Sequence, residues 1–160
     1  MKHGLLYGSY EISIDPKNRM LIPAEIRESI DQERDGNLFF VVIGSNGKLW
    51  LYPDRYYKAL VTQEPAELLP ADDALEFDHL NFSAAHRLTV DAQYRVLFPE
   101  RLMKSSGTER AVTVIGAKDH AEVWNRMEWD KHFENLQKRR KEIADQKRKD
   151  SKTDQPRPDE

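Results

Sequence analysis

The chain repeats itself, and this internal repeat limits the folds open to it more than any other feature. Residues 11–27 align without a gap with residues 87–103, and the match resumes at 41–57 against 113–129. An aspartate, an arginine and a proline fall at the same places in both copies: Asp15 and Asp91, Arg19 and Arg95, Pro23 and Pro99. Because recurrence of this kind marks a duplicated structural unit, we expect two copies of one small unit.

Each copy is expected to hold the same series of short strands and helices. Residues 10–14 alternate polar and apolar side chains, as in a half-buried strand, and residues 20–22 are expected to form a second strand. Pro23 suits the first position of one short helix that ends before Gly36. Residues 38–43 and 48–52 flank the turn Gly44-Ser-Asn-Gly47, which predicts a β-hairpin, and Pro53-Asp54 then opens another helix.

The repeat divides the chain into five segments. We expect a first unit at 9–54, a linker with helices at 55–82, a second unit at 83–126, a charged C-terminal helix at 127–150 and a disordered tail at 151–160. Residues 72–82 of the linker are expected to be helical, since their acidic first turn suits the positive end of a helix dipole.

Composition excludes several classes of protein. Hydrophobic residues make up 39% of the 160 residues, enough for a core, and no run approaches the 18 to 20 apolar residues of a membrane span. The absence of cysteine rules out disulfides and thiolate metal sites, and the N-terminus lacks the pattern of a secretory signal. We therefore expect a cytoplasmic protein that does not act at a membrane.

The charge distribution sets a condition on any contact with nucleic acid. The formal net charge is −3, and the middle of the chain is acidic. A nucleic-acid-binding domain is often strongly basic. Any DNA contact must therefore come from a local basic patch and not from the field of the whole monomer.

The Asp-x-x-x-Arg pair is the sharpest chemical feature of each copy. An arginine at the exit of a turn between two strands can present its guanidinium to a phosphate or to a guanine edge. The aspartate four residues earlier can brace the turn by accepting backbone N–H bonds. The alternative is a structural ion pair that only holds the turn, and the spacing by itself does not decide between the two.

The two motifs, residues 15–23 and 91–99, resemble the paired signatures of the MraZ family, as do residues 49–53 and 77–83. The similarity covers residues 8–133. It implies an α+β fold, a duplicated AbrB-like swapped-hairpin β-barrel with short helices and a pseudo-two-fold axis within the chain. It also implies a nucleoid-associated repressor that forms ring-like homo-oligomers. Such a repressor binds tandem repeats in double-stranded DNA ahead of the division and cell-wall gene cluster.

The resemblance also assigns the candidate DNA-binding residues. Arg19 and Lys17 are expected to lead the contacts, with Arg95 and Arg87 as secondary counterparts and Asp15 and Asp91 shaping the turns. The family usually has glycine before each arginine, where this chain has Asn18 and Tyr94. Asparagine tolerates the left-handed conformation well, whereas tyrosine does not, so the second turn is expected to differ and to contact DNA less.

Other readings of the sequence are weaker. The five histidines show no metal-ligand spacing, and no glycine-rich loop precedes a helix, so no metal, cofactor or small-molecule substrate is expected. Nothing supplies the pocket and general base of an enzyme. An antitoxin-like module acting through a protein partner remains an alternative, although such modules generally carry one copy of the unit. Five aromatic residues are expected to pack in the core or at an interface: Trp50, Tyr52, Tyr57, Trp124 and Trp129.

Overall fold

The computed structural model describes residues 4–36, 38–63 and 65–153, and the chain forms two compact units that divide after Arg126. The elements of the first unit, in chain order, are β1 (Ser9–Ser13), β2 (Arg19–Leu21), α1 (Ala24–Glu28), α2 (Gln32–Asp35), β3 (Phe39–Ile43), β4 (Leu49–Pro53), α3 (Asp54–Val61), α4 (Asp72–Phe82), β5 (His86–Leu88), β6 (Arg95–Leu97), α5 (Glu100–Ser106), β7 (Ala111–Gly116) and β8 (Ala121–Asn125). The helices α6 (Arg126–Lys138) and α7 (Arg140–Thr153) follow.

The strands of the two copies pair with each other. Six strands form an antiparallel sheet in the order β1-β7-β8-β4-β3-β5, and β2 pairs with β6 in a separate two-stranded ribbon. Strand β1 of the first copy thus pairs with β7 of the second, and β5 of the second copy pairs with β3 of the first. Strands β1 to β4 of the first copy correspond in order to β5 to β8 of the second. When each strand is replaced by its counterpart, the strand order of the six-stranded sheet reads backwards and every pair is preserved. The mixed α+β fold is therefore a duplicated one with pseudo-two-fold topology.

The larger of two hydrophobic clusters is shared by the two copies. Matched positions from both are buried side by side, among them Met20 with Val96 and Ile26 with Leu102. Each copy presents an apolar face too small to form a core by itself, so the copies must fold together to remove these side chains from water. Shared burial explains why the repeats form a single compact unit.

The single helix expected between Pro23 and Gly36 is in fact two short helices, so that expectation was wrong. Asp31 interrupts the segment by accepting hydrogen bonds from the backbone N–H groups of Glu33 and Arg34, which caps α2. Pro23 itself lies just before α1, with an extended ψ of 137°. The predicted hairpin is confirmed, with Phe39 opposite Pro53 and Ile43 opposite Leu49.

All five aromatic residues expected to pack are at least half-buried. Tyr52, Tyr57 and Trp124 are buried, and Trp50 is half-buried. Trp129, the repeat counterpart of Tyr57, is half-buried on α6, where its ring stacks on that of Phe133.

The C-terminal unit consists of two helices, where the sequence predicted one. α6 ends at Lys138, and α7 runs from Arg140 to Thr153. Residues 151–153, expected to be disordered, form the last turn of α7, and the remainder of the expected tail, 154–160, lies outside the described residues. Within the described part of the chain, no helix has the length and apolar character needed to cross a membrane.

Candidate nucleic-acid interface

The two-stranded ribbon of β2 and β6 brings both arginines of the repeated motif to one surface. Met20 and Val96 lie opposite each other at its centre and are completely buried. Since successive side chains of a strand point to opposite faces, the outer face carries the residues on either side of that pair. These are Arg19, Leu21, Arg95 and Leu97, and the two leucines are 49% and 56% exposed.

Arg19 and Arg95 are diagonal neighbours on the ribbon. Arg19 pairs with Leu97, and Arg95 lies two residues along the same strand as Leu97. With a rise of about 3.3 Å per residue and about 5 Å between strands, the two arginine Cα atoms are about 8 Å apart. Two guanidinium groups from distant parts of the sequence thus share one small surface.

In the first turn, one carboxylate both shapes the backbone and holds the arginine. Asp15 Oδ1 accepts hydrogen bonds from the backbone N–H groups of Lys17 (2.9 Å) and Arg19 (2.8 Å). Its Oδ2 accepts from Arg19 Nε at 2.7 Å. Asn18 adopts the left-handed conformation with a φ of 65°.

The second turn has the same geometry as the first, which corrects the expectation that it differs. Asp91 Oδ1 accepts from the backbone N–H groups of Gln93 and Arg95, and its Oδ2 accepts from Arg95 Nε at 3.0 Å. Tyr94 adopts a φ of 61°, close to that of Asn18. The Arg27 guanidinium lies 3.6 Å from the centre of the Tyr94 ring, and this cation–π contact helps to hold tyrosine in a conformation that it rarely adopts.

Both turn carboxylates are held in the charged form. Hydrogen bonding from the Arg19 backbone N–H, reinforced by the guanidinium, lowers the pKa of Asp15 below its usual value. The corresponding bonds from Arg95 and Gln93 lower the pKa of Asp91. At neutral pH each turn therefore contains an ionised aspartate that fixes the position of its arginine.

The geometry leaves part of each guanidinium available for a ligand. Arg19 and Arg95 bind their aspartates through Nε, and among the described residues their terminal Nη atoms have no hydrogen-bond partner. The side chains of Arg19 and Arg95 are 34% and 29% exposed to solvent. The two Nη atoms of each guanidinium carry four N–H groups that can donate to phosphate or base acceptors. The ion pair with the aspartate holds the side chain in position for these contacts.

Sequence reasoning missed two arginines that support the turns from the opposite copy. Arg110 Nη1 donates to the backbone oxygen of Asp15 and to Asn18 Oδ1, at 2.6 and 2.7 Å. Arg27, from the first copy, stacks on Tyr94 of the second. Neither lies in the repeated motif. Only the pairing of strands between copies brings them to the turns, so no local pattern could have found them.

The other two expected contact residues lie in different settings. Lys17 is exposed at the tip of the first turn, and its repeat counterpart is Gln93, so only the first turn carries this extra cation. Arg87 lies in β5 opposite Phe40, and its Nη2 donates to buried Asp54 at 3.0 Å, at the start of α3. The structure thus assigns Arg87 a carboxylate partner outside the Asp-x-x-x-Arg turns.

The surface formed by the two turns is locally basic. Six cations surround the two turns, Lys17, Arg19, Arg27, Arg95, Lys104 and Arg110. They outnumber four carboxylates, Asp15 and Asp91 of the turns and Glu100 and Glu109, which line the same recess as Asn18 and Arg110. This excess contrasts with the chain's formal net charge of −3 and meets the condition of a local basic patch. Within residues 4–36, 38–63 and 65–153, no three His, Asp or Glu side chains converge in a way that could hold a metal ion.

The fold and this surface define a duplicated α+β protein that presents a basic β-ribbon built jointly by its two copies. A family described as "MraZ protein, putative antitoxin-like" matches residues 5–78 and 81–152, one match for each copy. The chain belongs to this MraZ family.

Curated relatives agree over most of the chain. A protein of Heliobacterium modesticaldum named "Transcriptional regulator MraZ" is 34% identical over 141 residues, covering 88% of this chain and 95% of that protein. Proteins of the same name from Pelotomaculum thermopropionicum and Clostridium beijerinckii are each 30% identical. The first of these covers 88% of this chain and 94% of the relative, and the second 82% and 89%.

Proposed function

We propose that this chain is a sequence-specific DNA-binding transcriptional regulator that acts as a repressor, with the β2–β6 ribbon as its DNA-contacting surface. The observation that carries the proposal is the paired presentation of Arg19 and Arg95 on one exposed ribbon face, each held by an ionised aspartate. The names of the curated relatives support a regulatory role without enzymatic activity.

The ribbon fits the dimensions of duplex DNA. The major groove is about 12 Å wide and admits a two-stranded β-ribbon. The Cα atoms of the two arginines are about 8 Å apart. Successive base pairs are about 3.4 Å apart, so the two side chains suit acceptors separated by two to three base-pair steps. Bidentate donation to guanine O6 and N7 is the most common specific contact of arginine, and the exposed side chains of Leu21 and Leu97 suit the methyl group of thymine.

Lys17, Asn18 and Arg110 extend the first turn towards the DNA backbone. An exposed lysine at the turn tip contributes charge to a phosphate contact, and Asn18 keeps the turn in its left-handed form. Asp15 and Asp91 act by positioning the arginines. We assign Arg87 to a structural role, since its partner Asp54 is buried at the start of α3.

A single ribbon reads too few base edges to select one site in a genome, so we propose that the protein acts as a ring-like homo-oligomer on tandem DNA repeats. A net charge of −3 also gives the monomer little non-specific attraction for DNA. Several ribbons held in one assembly convert later contacts into intramolecular ones, which raises affinity by about 10² to 10⁴.

The family resemblance supplies the remaining parts of the proposal. By that likeness the target is the promoter region of the division and cell-wall gene cluster, and the protein is cytoplasmic and associated with the nucleoid. The fold is proposed to be the AbrB-like swapped-hairpin barrel. The reciprocal pairing of β1 with β7 and of β5 with β3 supports this assignment.

The test is a gel-shift titration of the purified protein on the DNA upstream of its own gene, with a scrambled sequence of equal length as control. We expect binding of the upstream DNA at concentrations at least a thousandfold lower than those needed for the scrambled DNA at physiological salt. Equal affinity for the two DNA molecules would overturn the proposal.

The second candidate function is that of an antitoxin-like module, which the description of the matching family favours. Such a module acts mainly by binding a protein partner. Affinity purification from cells that express the tagged chain distinguishes the two candidates. A stoichiometric protein partner together with no preference for the upstream DNA would favour the antitoxin.

A further inference from the structure

Helix α4 exposes several large apolar side chains. None of its eleven residues is buried, and Phe77 and Leu80 are 62% and 75% exposed. Leu68 and Leu69, just before the helix, are 96% and 88% exposed. A helix of eleven residues gains little stability from its own hydrogen bonds, and exposed large apolar side chains so close together are typical of a site of protein contact.

The exposed face of α4 combines apolar and acidic side chains. Phe77 and Leu80 are three residues apart and share a face of the helix, and Asp73 and Glu76 lie four residues before them on the same side. The helix contains four Asp or Glu residues and no Lys or Arg. Its partner must therefore offer an apolar side chain flanked by cations.

Helix α7 has the complementary pattern. It carries six Lys or Arg against three Asp or Glu, a net formal charge of +3, and none of its fourteen residues is buried. Ile143 is 39% exposed, and Arg140 and Lys147, three residues before and four after it, share its face. The α7 face thus offers an apolar side chain flanked by cations, which complements the apolar and acidic face of α4.

We propose that α7 of one copy of the chain docks on α4 of a second copy. Ile143 packs on Phe77 and Leu80, while Arg140 and Lys147 pair with Asp73 and Glu76. The two surfaces differ, so the contact is heterologous: every copy offers one α4 and one α7, and successive contacts extend the assembly until it closes. The inference rests on the proposed oligomeric regulator and names the surface that builds the oligomer, but the contact itself involves no DNA.

The lack of cysteine makes disulfide trapping a direct test. The variants Leu80→Cys and Ile143→Cys are purified separately, mixed and oxidised. We expect a disulfide-linked dimer that contains one chain of each variant. Ala74→Cys, exposed about a third of the way round α4 from Leu80, is the matched control and should cross-link with Ile143→Cys at least fivefold less.

The double variant Leu80→Cys/Ile143→Cys separates contact between copies from contact within one chain. Oxidation should produce a ladder of covalent oligomers. An internal disulfide that leaves only monomers would overturn the proposal, as would equal cross-linking by the Ala74→Cys control.

Charge exchange gives an independent readout. Asp73→Lys/Glu76→Lys should reduce the mean mass measured by light scattering at least twofold, and Arg140→Glu/Lys147→Glu should do the same. Mixing the two reversed variants, or combining all four changes, should restore the mass. An unchanged mass in the folded reversed variants, or no restoration, would overturn the proposed contact.

Mass and DNA-affinity measurements on these variants and on Arg19→Ala distinguish a failure of the proposed interface from a failure of the proposed function. If the interface is wrong, the charge-reversed variants keep the mass and the DNA affinity of the wild type. If DNA binding by the ribbon is wrong, Arg19→Ala keeps the DNA affinity of the wild type, whatever the disulfide trapping shows.

Discussion

In each ribbon turn, a single aspartate determines both the backbone conformation and the position of the arginine. Asp15 uses one oxygen for two backbone N–H groups and the other for Arg19 Nε. The sequence predicted this brace from residue types alone, because Asp-x-x-x-Arg fits a local turn. It predicted the second turn wrongly, since the intrinsic preference of Tyr94 against a positive φ is outweighed by Asp91 and by the Arg27 stack from the other copy.

Arg19→Ala should lower affinity for the specific DNA by about fivefold to 150-fold while leaving the fold intact. One bidentate contact is worth about 1 to 3 kcal/mol, and the side chain is not part of the core. Because the two turns are alike, Arg95→Ala should cost the same within a factor of about three. Fluorescence anisotropy on labelled upstream DNA measures both variants, with Arg101→Ala, an exposed arginine of α5, as the control. Normal binding by Arg19→Ala, or its unfolding at neutral pH, would show that the residue is structural.

Asn18→Ala should destabilise the protein more than Asn18→Gly. Both variants lose the hydrogen bond from Arg110, worth about 1 kcal/mol. Only alanine adds the cost of a left-handed φ, about 1 to 2 kcal/mol. Urea unfolding of the two variants and the wild type gives the free energies, and equal values for alanine and glycine would contradict the account of the turn.

At the scale of elements, a buried polar cluster joins the hairpins of the two copies. His120 lies between Asp119 and Glu122, with ring nitrogens 2.8 and 2.9 Å from their carboxylate oxygens, and its ring stacks on Trp50 of the first copy. Asn46 donates to Glu122, and Tyr56 donates to Asp119 at 2.7 Å. Residues in contact here are up to 76 positions apart, so periodicity and local motifs could not predict the cluster.

The charge state of this cluster follows from its partners. Burial opposes the positive charge on His120, but hydrogen bonds to Glu122 and Asp119 outweigh it and raise the pKa of the ring above 6.5. Burial likewise opposes charge on Glu122, yet bonds from His120, Trp124 and Asn46 lower its pKa. The pKa of Asp119 is lowered in the same way, and burial raises the pKa of Tyr56 to about 12, so this tyrosine stays neutral.

His120→Gln should therefore remove a pH dependence of stability. A raised His pKa contributes stability that is fully present below pH 6.5 and is lost as the pH rises through the folded value. The lowered carboxylate pKa values contribute stability that is lost in acid. Urea unfolding of the wild type should thus show falling stability from about pH 6.5 upward. The variant should lack this fall, and a fall of equal size in the variant would contradict the assignment to His120.

At the scale of the whole molecule, the opposing charges of its parts matter more than the net value of −3. The ribbon surface and α7 are basic, whereas α4 is acidic. The repeat predicted the duplicated α+β fold and most of its strands, because identical spacing implies identical elements. The exposure of α4 could not be predicted, since it depends on tertiary packing, and the break between α6 and α7 could not, since the charged run around Arg139 contains no glycine or proline to mark a helix end.

Tight binding should require several DNA repeats and the assembled protein. An oligomer turns second and later contacts into intramolecular ones, so affinity should rise by at least a hundredfold between one repeat and three. Anisotropy titrations on DNA with one, two and three repeats, with the oligomeric mass measured in the same buffer, test this. Equal affinity for all three would show that a single ribbon suffices.

The most direct measurement is the specificity ratio of Arg19→Ala/Arg95→Ala, the variant that removes both ribbon arginines. Its affinity for the upstream DNA is compared with its affinity for scrambled DNA of equal length at physiological salt, beside the wild type. The account predicts that the wild type prefers the upstream DNA by at least a thousandfold. The folded variant should bind the two DNA molecules equally weakly. A variant that retains the wild-type preference would contradict the assignment of the β2–β6 ribbon as the surface that reads DNA.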